Sequence, residues 1–145
     1  MSRTGITSFT QAAQQAQQWV NELCADLNWN EEHAYSLLRA VLRTLRDWLS
    51  PEEVADFSAQ LPLLVRGIFF EGWNPSLSPA SKRGKHDFIL SVMQRFGQET
   101  KHTDAEIDKA ITAVFDLLDR HISHGEIVQV RNSMKKSLRQ LWPRG

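Results

Sequence analysis

The chain repeats itself at an offset of 73 residues, and that repetition restricts its folding more than any other feature. Laying Ser50 over Ser123 brings Ala40, Val41, Leu45, Glu53 and Arg66 onto Ala113, Val114, Leu118, Glu126 and Arg139. The same overlay puts Leu42, Val54, Phe57, Leu61 and Val65 against Phe115, Ile127, Val130, Met134 and Leu138, apolar on apolar throughout. The first segments of the two copies align at an offset of 69, so the second copy carries four extra residues near "GQETKHT". Within each copy the apolar residues recur every three or four positions, the spacing of one helix face. A small helical unit with such stripes buries them best against a second one. The expected fold is therefore all-α: an internally duplicated bundle of two three-helix repeats within a single compact domain over residues 1–145. Repeat one spans about 8–73, a linker about 74–85, and repeat two about 86–142.

Local signals place the helices. The first carries Phe9, Ala12, Ala16, Trp19, Val20 and Leu23 on one face, with Cys24 and Leu27 beyond, and Ser8 with Gln11 has capping-box spacing. Asn30 suits the N-cap of the second, whose stripe includes Leu37, Val41, Leu45 and Trp48. Ser50-Pro51-Glu52-Glu53 opens the third, with Pro at the first helical position and Glu53 completing a box. In the second copy Phe88, Ile89, Val92 and Phe96 mark the fourth helix, Thr103 with Glu106 opens the fifth, and Ser123 with Glu126 the sixth.

The third helix has a flaw. Pro62 falls inside an apolar phase running from Val54 to Ile68. Proline in a helix interior costs about 3 kcal/mol or more. The helix is expected to break there, with Pro62 starting a short new helix and "LPLLVRGIFFEGW" turning back into the seam between the repeats. Gly67 and Gly72 allow close approach and termination. Arg66, matched by Arg139, has the place of a structural arginine.

Leu61-Pro62, Val65-Arg66-Gly67 and Phe70-Glu71-Gly72-Trp73-Asn74-Pro75 resemble the signature of a bacterial family known as domain of unknown function 2267. "AVLRTLRDWLSPEEVADFSAQLP" and "AVFDLLDRHISHGEIVQVRNSMKKSLRQLW" fit its pattern as well, so the resemblance runs from about Phe9 to Trp142. It implies an all-helical, internally duplicated, cytoplasmic bacterial protein. It supplies no catalytic residue.

Composition narrows the function classes. Hydrophobic residues make up 41% and charged residues 23%, which fits a globular chain. No run of about 18 apolar residues is present to span a membrane. The first residues lack a signal-peptide apolar core, so the expected location is cytoplasmic. A lone Cys24 rules out an internal disulfide and a Cys-rich zinc site. On the apolar stripe of the first helix it is a poor candidate nucleophile. The zero net charge hides a split: 5 Lys+Arg against 9 Asp+Glu in residues 1–73, and 12 against 8 in residues 74–145. Two halves of opposite sign attract, and that mutual attraction is the first reading of the split.

No constellation of nucleophile, base and oxyanion site is visible, nor a phosphate-binding glycine loop. His121-x-x-His124 with Glu126 has the only metal-like histidine spacing, but Ser123 between them reads as an N-cap and puts the rings on either side of a turn. His121 is expected to favour the C-terminal end of the fifth helix. His102 and Asp104 read as a solvated loop, and the pairs Glu31-Glu32 and Glu52-Glu53 as first-turn acids. Arg131, Lys135 and Arg139 form a basic stripe on the sixth helix with Lys136 beside it, suited to an acidic protein partner or to phosphates. Cations near a helix C-terminus need no ligand to explain them, and the acidic start of the third helix argues against nucleic acid.

The leading reading is a non-enzymatic protein-interaction or regulatory module with no cofactor, no metal residues and no membrane partner. Its candidate interaction surface is Phe70, Trp73, Arg131, Lys135, Lys136 and Arg139, facing a protein partner or a second copy. The alternatives are a nucleic-acid-associated protein using the basic sixth helix, and a metal- or small-molecule-binding enzyme using the His121/His124 turn.

Overall fold

A computed structural model describes residues 5–77, 84–97 and 102–133. Among these the regular structure is helical: α1 (Thr7–Leu27), α2 (Glu31–Trp48), α3 (Pro51–Ser58), α4 (Leu63–Phe70), α5 (Lys85–Phe96), α6 (Asp104–His121) and α7 (His124–Ser133). The predicted third helix is thus α3 plus α4, and the fourth to sixth are α5 to α7. Each of α2 and α6 has 18 residues, and both ends of one lie 73 positions from the ends of the other.

Capping explains most boundaries. The Asn30 side chain accepts from the His33 amide at 2.8 Å, and Glu31 and Glu32 place negative charge at the positive end of α2. Ser50 and Glu53 form the expected reciprocal box at the start of α3, as do Thr103 and Glu106 at α6. The Ser123 hydroxyl accepts from the Glu126 amide at 3.4 Å. One cap differs from expectation. α1 starts a residue before Ser8, with Ile6 as N-cap and no side-chain cap bond. It ends at Asn28, whose φ of 56° is left-handed, a region asparagine tolerates.

The proline break is present. After α3 the chain makes a turn at residues 59–61, and Pro62 stands as N-cap of α4 with φ −60° and ψ 156°. The extended ψ removes the clash that a helical continuation would impose. The Arg66 guanidinium bridges the break, donating to the Ser58 and Leu61 carbonyls at 3.0 Å each. It is the structural arginine the sequence suggested.

α2 is the central element. Leu37, Leu38, Val41, Leu42, Leu45 and Trp48 are buried on it, and it packs against α1, α4, α5 and α6. α6 contributes Ile111, Val114, Phe115 and Leu118 and packs against α1, α2 and α5, while α3 meets α7. Trp48 lies edge-on to Phe88 at 5.3 Å, and Phe88 meets Phe115 at 6.0 Å, so the two halves share one core. Ion pairs cross between the halves in the direction the charge split implied. Arg120 holds Glu22 at 2.9 Å and also Asp26, and Arg95 holds Asp47.

Two expectations are corrected. Phe9 is not core: it is 65% exposed, although Ala12 one turn further on is buried. Among the described residues, the 61–73 segment packs chiefly within its own half and not in the seam between the halves. α4 packs on α1 and α2 of its own half, because the break at Pro62 turns it back along the helices that precede it.

Candidate interaction groove on α1, α2 and α4

The fold-back of α4 leaves a groove of about 520 Å³ between three helices. Ala13, Ala16 and Val20 form its α1 wall, Tyr35 and Leu38 its α2 wall, and Leu64, Val65 and Ile68 its α4 wall. Val20, Leu38 and Val65 are buried and make the floor. Alanine at positions 13 and 16 puts only a methyl group at each place on the α1 wall. Gln17, Glu31 and Glu32 form a polar rim, with the Gln17 amide donating to Glu31. Leu64, on the α4 wall, is 45% exposed. Phe9 lies on the same α1 stripe as Ala13, Ala16 and Val20, so the apolar face continues beyond the groove along α1.

Arginines fix the far end of α4. Arg43 Nε donates to the Ile68 carbonyl at 3.0 Å, and its Nη2 meets Glu71 at 2.5 Å. Arg46, 4% exposed, donates to the Phe69 and Glu71 carbonyls at 3.1 and 2.8 Å. These groups satisfy carbonyls that a helix end leaves without intrahelical partners. Arg46 and Arg95 also grip Asp47. Burial alone raises the Asp47 carboxyl, but the hydrogen bonds and charges of the two arginines outweigh it and hold the group below its usual range.

Phe70 and Trp73 are half-buried and pack on one another at 5.5 Å, with Phe70 also edge-on to Phe69. Both pack against the core and neither lines the groove. The Trp73 Nε1 is buried without a hydrogen-bond partner among the described residues. Arg131 is half-buried on α7, and Lys135, Lys136 and Arg139 lie outside the described residues. The groove walls of α1 and α2 carry no residue of the surface expected from sequence.

The histidines divide into two settings. His121, the last residue of α6, reaches across to α1. Its Nε2 lies 3.1 Å from both Glu22 carboxylate oxygens, and its ring stacks on Trp19 at 4.8 Å. Burial favours the neutral Glu22 carboxyl, but hydrogen bonds from Gln18 and His121 and the charges of His121 and Arg120 reverse the balance and lower its pKa. His124 is exposed at the start of α7, across the turn. No cluster of three or more His, Cys, Asp or Glu side chains suited to a metal occurs among the described residues.

The second setting corrects the reading of His102 as a solvated loop residue. Its Nε2 is 3.0 Å from His33 Nε2, and its ring stacks on Trp29 at 5.1 Å and on Phe96 at 6.0 Å. Burial, followed by the charge of His102, lowers the His33 pKa. The centroids are 5.2 Å apart, close to the maximum for rings meeting nitrogen to nitrogen, which is the arrangement of an N–H···N hydrogen bond. At least one ring must then be neutral. The 69-residue separation of the pair gave no local signal in the sequence.

Cys24 is half-buried against the core. No helix among the described residues is long and apolar enough to cross a membrane. No curated protein matches the chain. Residues 16–141, most of the sequence, match the family model described as an uncharacterized conserved protein, DUF2267, and the chain belongs to that family.

Proposed function

We propose that the chain is a non-enzymatic, cytoplasmic interaction module that takes an amphipathic helix with basic flanks into the α1/α2/α4 groove. The observation that carries this reading is the groove itself: three apolar walls, a volume within the range of ligand-sized clefts, and the exposed Leu64 on one wall. A helix laid in such a groove inserts apolar residues at i, i+3 or i+4, and i+7. The acidic rim, Glu31 and Glu32, favours Lys or Arg at the edges of that stripe and disfavours acidic flanks. Phe70 and Trp73 act in this reading as the brace that keeps α4 in position. Arg131, with Lys135, Lys136 and Arg139, offers a separate contact for an acidic region of a partner. Reading the chain as an internal duplication belongs to the same proposal. The equal lengths of α2 and α6, and N-caps at Asn30 and Thr103, and at Ser50 and Ser123, support it.

Peptide selection on the full chain tests the groove. Enriched peptides should share an apolar helical stripe flanked by Lys or Arg, and Leu64→Glu should weaken them at least tenfold. Joint Glu31→Lys and Glu32→Lys substitution should weaken them and reduce their salt dependence. Peptides that ignore both variants would refute the reading. So would a dimer, seen by sedimentation, that Leu64→Glu dissociates, since the occupant would then be a second copy.

A further inference from the structure

The arginines that anchor α4 also border a second and smaller cavity, lined by Arg39, Ala40, Arg43, Arg46 and Arg95, with a volume of about 220 Å³. The geometry points to a binding site for a single phosphate group, carried by a small molecule or present as the free ion. Arg39, Arg43 and Arg46 share one face of α2 at spacings of four and three residues, and Arg95 comes from α5, packed against it. Ala40 is buried, and its small side chain leaves room between the guanidiniums.

Four guanidiniums around one cavity repel each other, and no carboxylate is among its lining residues in the described part of the chain. Acidic partners of the group among the described residues are Asp47, shared by Arg46 and Arg95, and Glu71, held by Arg43. Among the described residues, two carboxylates against four guanidiniums leave an excess of positive charge, which suits a phosphate anion. Donors also remain. A guanidinium offers five N–H groups. Arg43 uses its Nε and one Nη, Arg95 uses its two Nη groups, and Arg39 lies over the Tyr35 ring at 5.2 Å. Capping α4 accounts for Arg46 and part of Arg43, and Asp47 accounts for part of Arg95. Neither role accounts for Arg39.

The chemistry of the lining selects the ligand class. Arginine forks match phosphate oxygens pairwise, and guanidiniums approaching from two helices suit a tetrahedral anion better than a planar one. The volume lies below that of drug-sized ligand clefts, which limits the site to one anionic group. With Arg43 and Arg95 side chains 21% and 35% exposed, the cavity opens to solvent. The site shares no lining residue with the groove and requires no helical partner.

Calorimetric titration of the full chain with inorganic phosphate in chloride buffer, repeated with ribose 5-phosphate, tests the assignment. Saturable one-to-one binding is expected for both, with tighter binding if the site takes a monoester. Arg39→Gln and Arg95→Gln should each weaken it at least tenfold. Lys109→Gln, an exposed change of the same charge elsewhere, should leave it within twofold. Arg39→Gln removes a residue whose described contact is the Tyr35 ring, so its thermal unfolding in chloride should stay near wild type and keep the result interpretable. No saturable binding at millimolar phosphate overturns the proposal, and so does equal weakening by Lys109→Gln. A DNA duplex that binds more tightly than either phosphate, with steep salt dependence, overturns the small-molecule assignment in favour of a nucleic-acid surface.

Discussion

Replacing Arg46 by Met isolates what anchors the wall of the groove. Methionine keeps the helix propensity and much of the apolar stem while removing every N–H. The Phe69 and Glu71 carbonyls then lose their donor at 3.1 and 2.8 Å, and Asp47 keeps only Arg95 of its two cationic partners. Hydrogen bonds from a charged donor contribute about 1.5–3 kcal/mol each. Removing one partner of a buried charged network costs about 3–5 kcal/mol, because the groups left behind stay desolvated. Partial water access to Glu71 and the retained Arg95 contact place the expected loss near the lower end, about 3 kcal/mol. For a chain of this size that corresponds to a fall in Tm of roughly 10 °C. Urea unfolding measures the loss, and native-state hydrogen exchange locates it: amides near the C-terminal end of α4 should lose protection before those of α2 and α6. A loss below about 1 kcal/mol, or exchange that quickens equally in α6, would refute the claim that Arg46 anchors α4.

Two further outcomes follow from the same geometry. Gly72 has φ +78° with open space where a Cβ would stand, so Gly72→Ala should cost about 1 kcal/mol through backbone strain alone, read as a small shift in urea midpoint with an unchanged m-value. For His33, the folded pKa lies below the unfolded value of about 6.5. The unfolded chain therefore binds more protons across that interval, and stability rises with pH through it: the contribution is full above about 6.5 and is lost as pH falls through the folded pKa. Unfolding measured from pH 8 to pH 5 should show this decline, and His33→Gln should flatten it; an unchanged slope would point to other groups.

Much of the architecture was legible because it depends on local chemistry. A capping box joins residues three apart, a stripe joins residues three or four apart, and proline restricts its own φ. Asn30, Ser50-Glu53, Thr103-Glu106 and the break at Pro62 could therefore be placed without knowing what packs against them. The candidate sites were less legible. Arg39, Arg43 and Arg46 have a visible helical spacing, but Arg95 joins them only through the packing of α5 on α2. Exposed positions 9 and 13 and half-buried position 16 share the spacing of buried Val20, and spacing cannot say which members of a stripe a neighbouring helix covers.

From the sequence alone came the helical class, the capped starts of α2, α3 and α6, the broken third helix and the opposed charges of the two halves, because each follows from residue type and near-neighbour spacing. Tertiary structure decided the direction of α4, the meeting of His33 with His102, the groove and the arginine-lined cavity. Each of those depends on which helix faces which, a choice set by packing between residues distant along the chain.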